Sequence, residues 1–174
     1  HATWTIYNET GNLIELTDPK YQTTVFDYDV KGNCTSIEQP GNITSTFTYE
    51  ATFSQVTSAT DPNGHTSTFT YDGNGNRLTA TNPVNKTTGF IYDNYGQVTQ
   101  VTDALSHSTS FGYDNTGNLT SLTDPLQNTW TFWYDSRGNQ TSARDPLNHT
   151  TTRAYNLNDQ VTSVTDPMSH TTTM

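Results

Sequence analysis

The side chains best suited to chemistry in this chain stand at fixed intervals. His65, His107 and His149 recur every 42 residues, and His170 follows 21 residues after His149. Imidazoles in a row suggest a metal edge. Aspartates recur as well, in Asp-x-x-Gly groups at Asp29–Gly32, Asp72–Gly75, Asp93–Gly96, Asp114–Gly117 and Asp135–Gly138. A calcium loop needs several oxygens converging within one loop, and each of these groups offers a single carboxylate. Capping a turn accounts for that carboxylate fully. Ser, His and Asp are all present, but no nucleophile elbow, zinc-protease helix or phosphate-binding loop occurs. The expectation is therefore no catalytic residue, no metal, no cofactor and no enzyme.

Composition narrows the partners. Net charge is -10, with only 7 Lys and Arg, so no basic stripe exists to neutralise phosphates, and nucleic acid is not expected as a partner. No apolar run approaches the roughly 20 residues of a membrane span. No signal-peptide pattern opens the sequence at His1. Cys34 is the only cysteine, which excludes an internal disulfide framework. Seven Asn-x-Thr sequons, at Asn8, Asn33, Asn42, Asn85, Asn118, Asn139 and Asn148, are mostly what chance gives in a sequence so rich in Asn and Thr.

The elements that carry these residues are announced by tyrosine. Tyr7, Tyr28, Tyr49, Tyr71, Tyr92, Tyr113, Tyr134 and Tyr155 lie 21 residues apart, with one interval of 22 between Tyr49 and Tyr71. A fixed period of that size means one supersecondary unit repeated end to end. Eight copies are expected, at about 2–22, 23–43, 44–65, 66–86, 87–107, 108–128, 129–149 and 150–170. Thr171 to Met174 open another copy, so both ends read as cut from a longer array.

Within each copy a threonine-aromatic segment alternates like a strand, as in Thr129, Trp130, Thr131, Phe132, Trp133 and Tyr134. Phenylalanine stands two before tyrosine at Phe26, Phe47, Phe69, Phe90, Phe111 and Phe132, with Thr5 and Arg153 replacing it in the outermost copies. The expectation is a buried Phe/Tyr face. Trp133, on the opposite face, is the better candidate for a lumen or contact surface.

Asp followed three residues later by Gly32, Gly75, Gly96, Gly117 or Gly138 is the signature of a type I turn with a left-handed glycine, the three-residue hairpin loop. A second turn, Asp-Pro-x-x, closes the copy at Asp61-Pro62, Asp124-Pro125 and Asp166-Pro167. Both ends of the unit thus carry hairpin chemistry, which predicts a continuous antiparallel meander. The rival is a parallel solenoid with one rung per copy, which would need corners in place of hairpin turns.

Two features disturb the pattern. Apolar residues of the second strand fall three apart, as in Leu13/Leu16, Val56/Ala59, Val98/Val101, Leu119/Leu122 and Val161/Val164. Either a bulge brings both to one face or both faces are partly covered, and a bulge is expected. The third copy has an extra residue within Glu50–Gln55 and no turn glycine, so its loop should depart from the others.

The repeated Tyr-Asp-x-x-Gly-Asn-x-Thr-Ser-Val-Thr-Asp-Pro pattern, plainest in Tyr71–Pro83, Tyr113–Pro125 and Tyr134–Pro146, resembles the YD-repeat or Rhs family over essentially the whole sequence. Asn8, Glu50 and Asn156 depart from it after tyrosine, and Asp159 replaces the turn glycine. The resemblance implies an all-β ribbon of tandem 21-residue hairpins spiralling into a shell, barrel or tube. In bacterial Rhs proteins and Tc toxins such a shell encloses a C-terminal toxin, and in teneurins a similar barrel belongs to a cell-surface receptor. The bacterial examples carry an aspartyl autoprotease junction, and no such segment is apparent here. The Asp-Pro pairs sit at regular turns and do not match its catalytic aspartates.

About sixteen strands at roughly 4.8 Å each make a ribbon about 77 Å long, which closed on itself would leave too narrow a bore for a folded domain. At that spacing alternate copies put histidines roughly 19 Å apart, too far for shared ligation at about 2 Å per bond. The expected function is a structural shell segment of a secreted or surface protein, enclosing a toxin or effector outside this chain. The alternative is an extracellular fibre or adhesin without cargo. Expected partners are adjacent repeats, copies of the same protein, and an enclosed toxin domain.

Overall fold

The computed structural model describes residues 3–174. Ala2, placed above in the first copy, and His1 lie outside the described residues. Seventeen strands and no helix occur among those described, so no helix is long and apolar enough to cross a membrane. The protein divides into two units, one reaching Thr88 and one beginning at Gly89.

The first unit holds β1 (Trp4–Tyr7), β2 (Leu13–Thr17), β3 (Thr23–Tyr28), β4 (Cys34–Gln39), β5 (Ile43–Tyr49), β6 (Val56–Thr60), β7 (Thr66–Tyr71) and β8 (Arg77–Thr81). Each pairs antiparallel with the next. β9 (Thr87–Tyr92) crosses the division. The second unit continues through β10 (Val98–Thr102), β11 (Ser108–Tyr113), β12 (Leu119–Thr123), β13 (Thr129–Tyr134), β14 (Gln140–Arg144), β15 (Thr150–Tyr155), β16 (Val161–Thr165) and β17 (Thr171–Thr173). Here too every strand from β9 onward pairs antiparallel with its successor. The meander replaces the solenoid, because every connection is a tight hairpin.

The expected bulge is present in every hairpin that follows a tyrosine strand. Tyr113 stands opposite Leu119 and Gly112 opposite Ser121, which leaves Thr120 as the extra residue. The same step leaves Ile14, Thr35, Thr57, Leu78, Thr99, Thr141 and Thr162 unpaired in the other copies. Because side chains alternate with period two, one inserted residue returns Leu119 and Leu122 to the face of Tyr113 and Phe111. One face of each hairpin therefore carries the aromatic and aliphatic residues.

The opposite face is hydroxylated. Through β5–β8 the ladder-paired residues on it are all Thr or Ser: Thr44, Thr46, Thr48, Ser58, Thr60, Thr66, Thr68, Thr70, Thr79 and Thr81. Hydroxyls meet across the proline-type turns, with Thr60 and Thr66 at 2.8 Å and Thr123 and Thr129 at 2.9 Å. In the second unit Ile91, Trp133 and Arg144 interrupt this surface, and the Arg144 guanidinium lies 5.4 Å from the Trp133 ring centre. Trp133, singled out as a contact residue, is thus partly covered by a cation–π neighbour.

The buried Phe/Tyr face needs correction. No described residue is fully buried, and Phe26, Phe47, Phe69, Phe90, Phe111 and Phe132 are half-buried. The reason is the layer count. A sheet buries a face only against a second layer, and within each unit the strands form a single one.

Candidate functional site

Tyrosine, unlike phenylalanine, carries a hydroxyl, and the structure gives that hydroxyl one repeated task. Tyr28 Oη donates to the Leu13 carbonyl at 2.8 Å, Tyr49 to Cys34 at 2.7 Å and Tyr71 to Val56 at 2.8 Å. In the second unit Tyr113 donates to Val98 at 3.0 Å, Tyr134 to Leu119 at 2.8 Å and Tyr155 to Gln140 at 2.9 Å. The acceptor is always the residue opposite the preceding tyrosine, where the bulge disrupts the ladder. Each tyrosine therefore satisfies a carbonyl at the bulge of the hairpin before its own, joining one repeat to the last. Burial raises the pKa of Tyr28 and Tyr49, with Cys34 adding to both, so the phenols remain protonated donors.

The aspartate-glycine turns follow each tyrosine. Asp114 closes its loop by donating its N–H to the Asn118 carbonyl at 3.0 Å, while Gly117 N–H donates to the Asp114 carbonyl at 3.1 Å. Gly32, Gly75, Gly96, Gly117 and Gly138 all have φ between 81° and 90°, the left-handed region that a side chain disfavours. The carboxylate fills the loop. Asp114 accepts from the Thr116 hydroxyl, from the Asn118 side chain and from the main-chain N–H groups of Thr116 and Asn118, which lowers its pKa to about 2. Asp29, Asp72 and Asp135 are lowered in the same way, chiefly by Asn33, Asn76 and Asn139.

These turns are also bolted to one another within each unit. Gln55 Nε2 donates to the Gly75 carbonyl at 2.8 Å, Asn33 Nδ2 donates to Ser54 Oγ at 3.2 Å, and Lys31 Nζ donates to the Ala51 carbonyl. In the second unit Gln97 Nε2 reaches the Gly117 carbonyl at 3.2 Å. Asp159, which lacks glycine's freedom at φ 60°, is held by Arg137 Nη1 at 3.0 Å and Asn139 Nδ2 at 2.7 Å. The irregular loop Glu50–Gln55 obeys the same logic. Burial pushes the Glu50 carboxyl up, but N–H donation from Thr52, Gln55 and Phe53 outweighs it and lowers the pKa. Ser54 at φ 56° takes the glycine's place.

The histidines belong to the other turns. His65, His107, His149 and His170 each place Nδ1 2.9–3.1 Å from the aspartate of their own loop, at Asp61, Asp103, Asp145 and Asp166. Asn128 makes the same contact with Asp124 at 2.8 Å. Imidazole here substitutes for a side-chain amide donor. No group of three or more metal-ligating side chains forms among the described residues. Ala104 stands where other copies have proline, yet its loop closes identically, with Ser106 N–H on the Asp103 carbonyl at 3.0 Å. Cys34 is half-buried, and burial raises its thiol pKa.

Sequence reasoning placed the tyrosines and glycines but missed two partners: the tyrosine's carbonyl and the Asn or Gln after each turn glycine. The second left a visible signal, since Gly-Asn or Gly-Gln recurs at Asn33, Asn76, Gln97, Asn118 and Asn139.

Comparison with known proteins gives a consistent picture. The RHS Repeat family profile matches residues 7–44, 53–88, 92–129 and 134–173. Among solved structures, the TcdB2-TccC3-Cdc42 crystal structure matches with TM-score 0.71 at 14% identity, over 96% of this chain and 11% of that chain. The TcdB2-TccC3 crystal structure gives TM-score 0.69 at 14% identity, over 96% of this chain and 12% of that one. The Tc holotoxin pore of Photorhabdus luminescens gives TM-score 0.57 at 18% identity, over 98% of this chain and 9% of the other. The protein thus spans about a tenth of the chains it resembles. No curated protein matches it.

Proposed function

Because this chain belongs to the RHS repeat family, we propose that it is a wall segment of a secreted or surface-exposed shell enclosing a toxin or effector outside these 174 residues. It is a structural repeat segment, and enclosure is the role proposed for it. The reading rests on the tyrosine ladder: each hairpin carries the donor for its predecessor and the acceptor for its successor, so the unit can be extended without changing its chemistry. The eight-copy division of residues 2–170 follows from the same logic. The structures it resembles are of Tc toxin proteins, which favours a shell over a cargo-free tube. Its partners would be neighbouring repeats or further copies of the protein, together with the enclosed domain. No catalytic role is assigned to it.

Electron cryo-microscopy of the protein with its native flanking sequence tests this. The expected result is closed hollow particles with density inside. Open filaments, or hollow particles whose effector domain lies outside and is cut freely by protease, would overturn the enclosing role.

A further inference from the structure

The sequence contains two Asn-Gly pairs, Asn63-Gly64 and Asn74-Gly75, and both sit in hairpin turns of the first unit. Asn-Gly is the dipeptide most prone to spontaneous deamidation, because glycine leaves its own nitrogen sterically open to attack the preceding side chain. The two turns are alike in the bond that must first break. Gly64 N–H donates to the Asp61 carbonyl at 3.0 Å, and Gly75 N–H donates to the Asp72 carbonyl at 3.1 Å. Neither asparagine side chain makes a hydrogen bond among the described residues.

They differ in what surrounds the glycine. Nothing lies within 4 Å of the position a Cβ would take on Gly64, and the residue is exposed. At Gly75 the Phe53 ring stands 3.1 Å from that position, and Gln55 Nε2 holds the Gly75 carbonyl at 2.8 Å. Opening the first turn breaks only bonds of its own loop. Opening the second also strips away the aromatic ring and a hydrogen bond from the preceding turn.

We propose that Asn63 is a site of spontaneous deamidation and isoaspartate formation, and that Asn74 is protected from it by Phe53 and Gln55. The Gly64 nitrogen, deprotonated by base, attacks Cγ of Asn63; the Cγ–Nδ2 bond breaks and ammonia leaves. Water then opens the resulting succinimide at either carbonyl, yielding aspartate or isoaspartate. Either product adds a negative charge beside Asp61. Isoaspartate also lengthens the backbone by one carbon, which removes the 2.9 Å bond from Asp61 N–H to the His65 carbonyl.

The test is peptide mapping by mass spectrometry after incubation in mildly alkaline water enriched in the heavy oxygen isotope, which labels each new carboxyl group. In the folded protein Asn63 should convert roughly tenfold faster than Asn74. In concentrated urea the two rates should approach each other, and Phe53→Ala should speed Asn74 in the folded protein. Equal rates in the folded protein, or faster loss at Asn74, would overturn the proposal. So would a difference that persists unchanged in urea, since it would then come from the flanking sequence.

Discussion

The two edges of the hairpin array are built from nearly the same turn, yet they do different work. Both use an aspartate whose carboxylate gathers N–H groups and a left-handed residue that closes the loop. On the aspartate-glycine edge, the side chain one residue past the left-handed residue reaches the next turn at Asn33, Gln55, Gln97 and Asn139, whereas Asn76 and Asn118 bond only within their own loops. On the proline edge His65, His107, Asn128, His149 and His170 hold that position and bond back to their own aspartates, while Gln22 and Lys86 hold it in the Asp18 and Asn82 loops. Within each unit, among the described residues, no hydrogen bond joins two successive proline turns, and in the second unit their tips expose Leu105, Leu126, Leu147 and Met168. One edge is a seam and the other a fringe. A turn's cohesion is set by where one side chain points, not by the turn type.

Glycine substitution should separate the edges most strongly. Both Gly75→Ala and Gly64→Ala force a side chain into the left-handed region, at φ 86° and 82°, for about 1–2 kcal/mol. Gly75→Ala meets Phe53 as well, so its urea-unfolding loss should exceed that of Gly64→Ala by about 1 kcal/mol. Equal losses would erase the distinction between seam and fringe. A smaller effect is expected from Tyr134→Phe, which leaves the Leu119 carbonyl without its donor and should cost about 1 kcal/mol in the same measurement. No change would mean that water replaces the phenol fully and the ladder is not cohesive.

Acid should loosen both edges in a defined order. Asp29, Asp72, Asp135 and Asp166 have folded pKa values below the unfolded one, so their contribution is complete above about pH 4 and is lost as pH falls through the folded values. Asp114, at about 2, should be the last of the shifted turn aspartates to protonate, as read from carboxyl chemical shifts in a pH titration. Earlier protonation of Asp114 than of Asp61 would contradict the hydrogen-bond account. The smallest effect belongs to the fringe. His149→Asn should change stability by less than about 0.5 kcal/mol, because Asn128 already makes the same contact in its own loop.

Much of this was legible in the residues. The 21-residue period, the two hairpin turns and the bulge between Leu119 and Leu122 all follow from side-chain type and spacing. The tyrosine's partner was not legible for a physical reason: its acceptor is a backbone carbonyl, and Leu13, Cys34, Val56, Val98, Leu119 and Gln140 have no side-chain property in common that marks it. A repeated tyrosine two residues after a repeated phenylalanine was the available hint, since only the tyrosine needs a hydrogen-bond partner. The depth of burial was not legible either, because alternation reveals which residues share a face and says nothing about whether a second layer covers it. In each unit it does not.

Residue-resolved amide hydrogen exchange tests the seam most directly. Gly117 and Gln127 N–H groups occupy matching positions in an aspartate-glycine turn and a proline turn, bonded to the Asp114 carbonyl at 3.1 Å and the Asp124 carbonyl at 3.0 Å. With nearly equal bonds, any difference in protection reports the connection to neighbouring turns. Slower exchange at Gly117 than at Gln127, reduced by Gln97→Ala, is the expected result. Equal exchange at the two positions, or slower exchange at Gln127, would contradict the account.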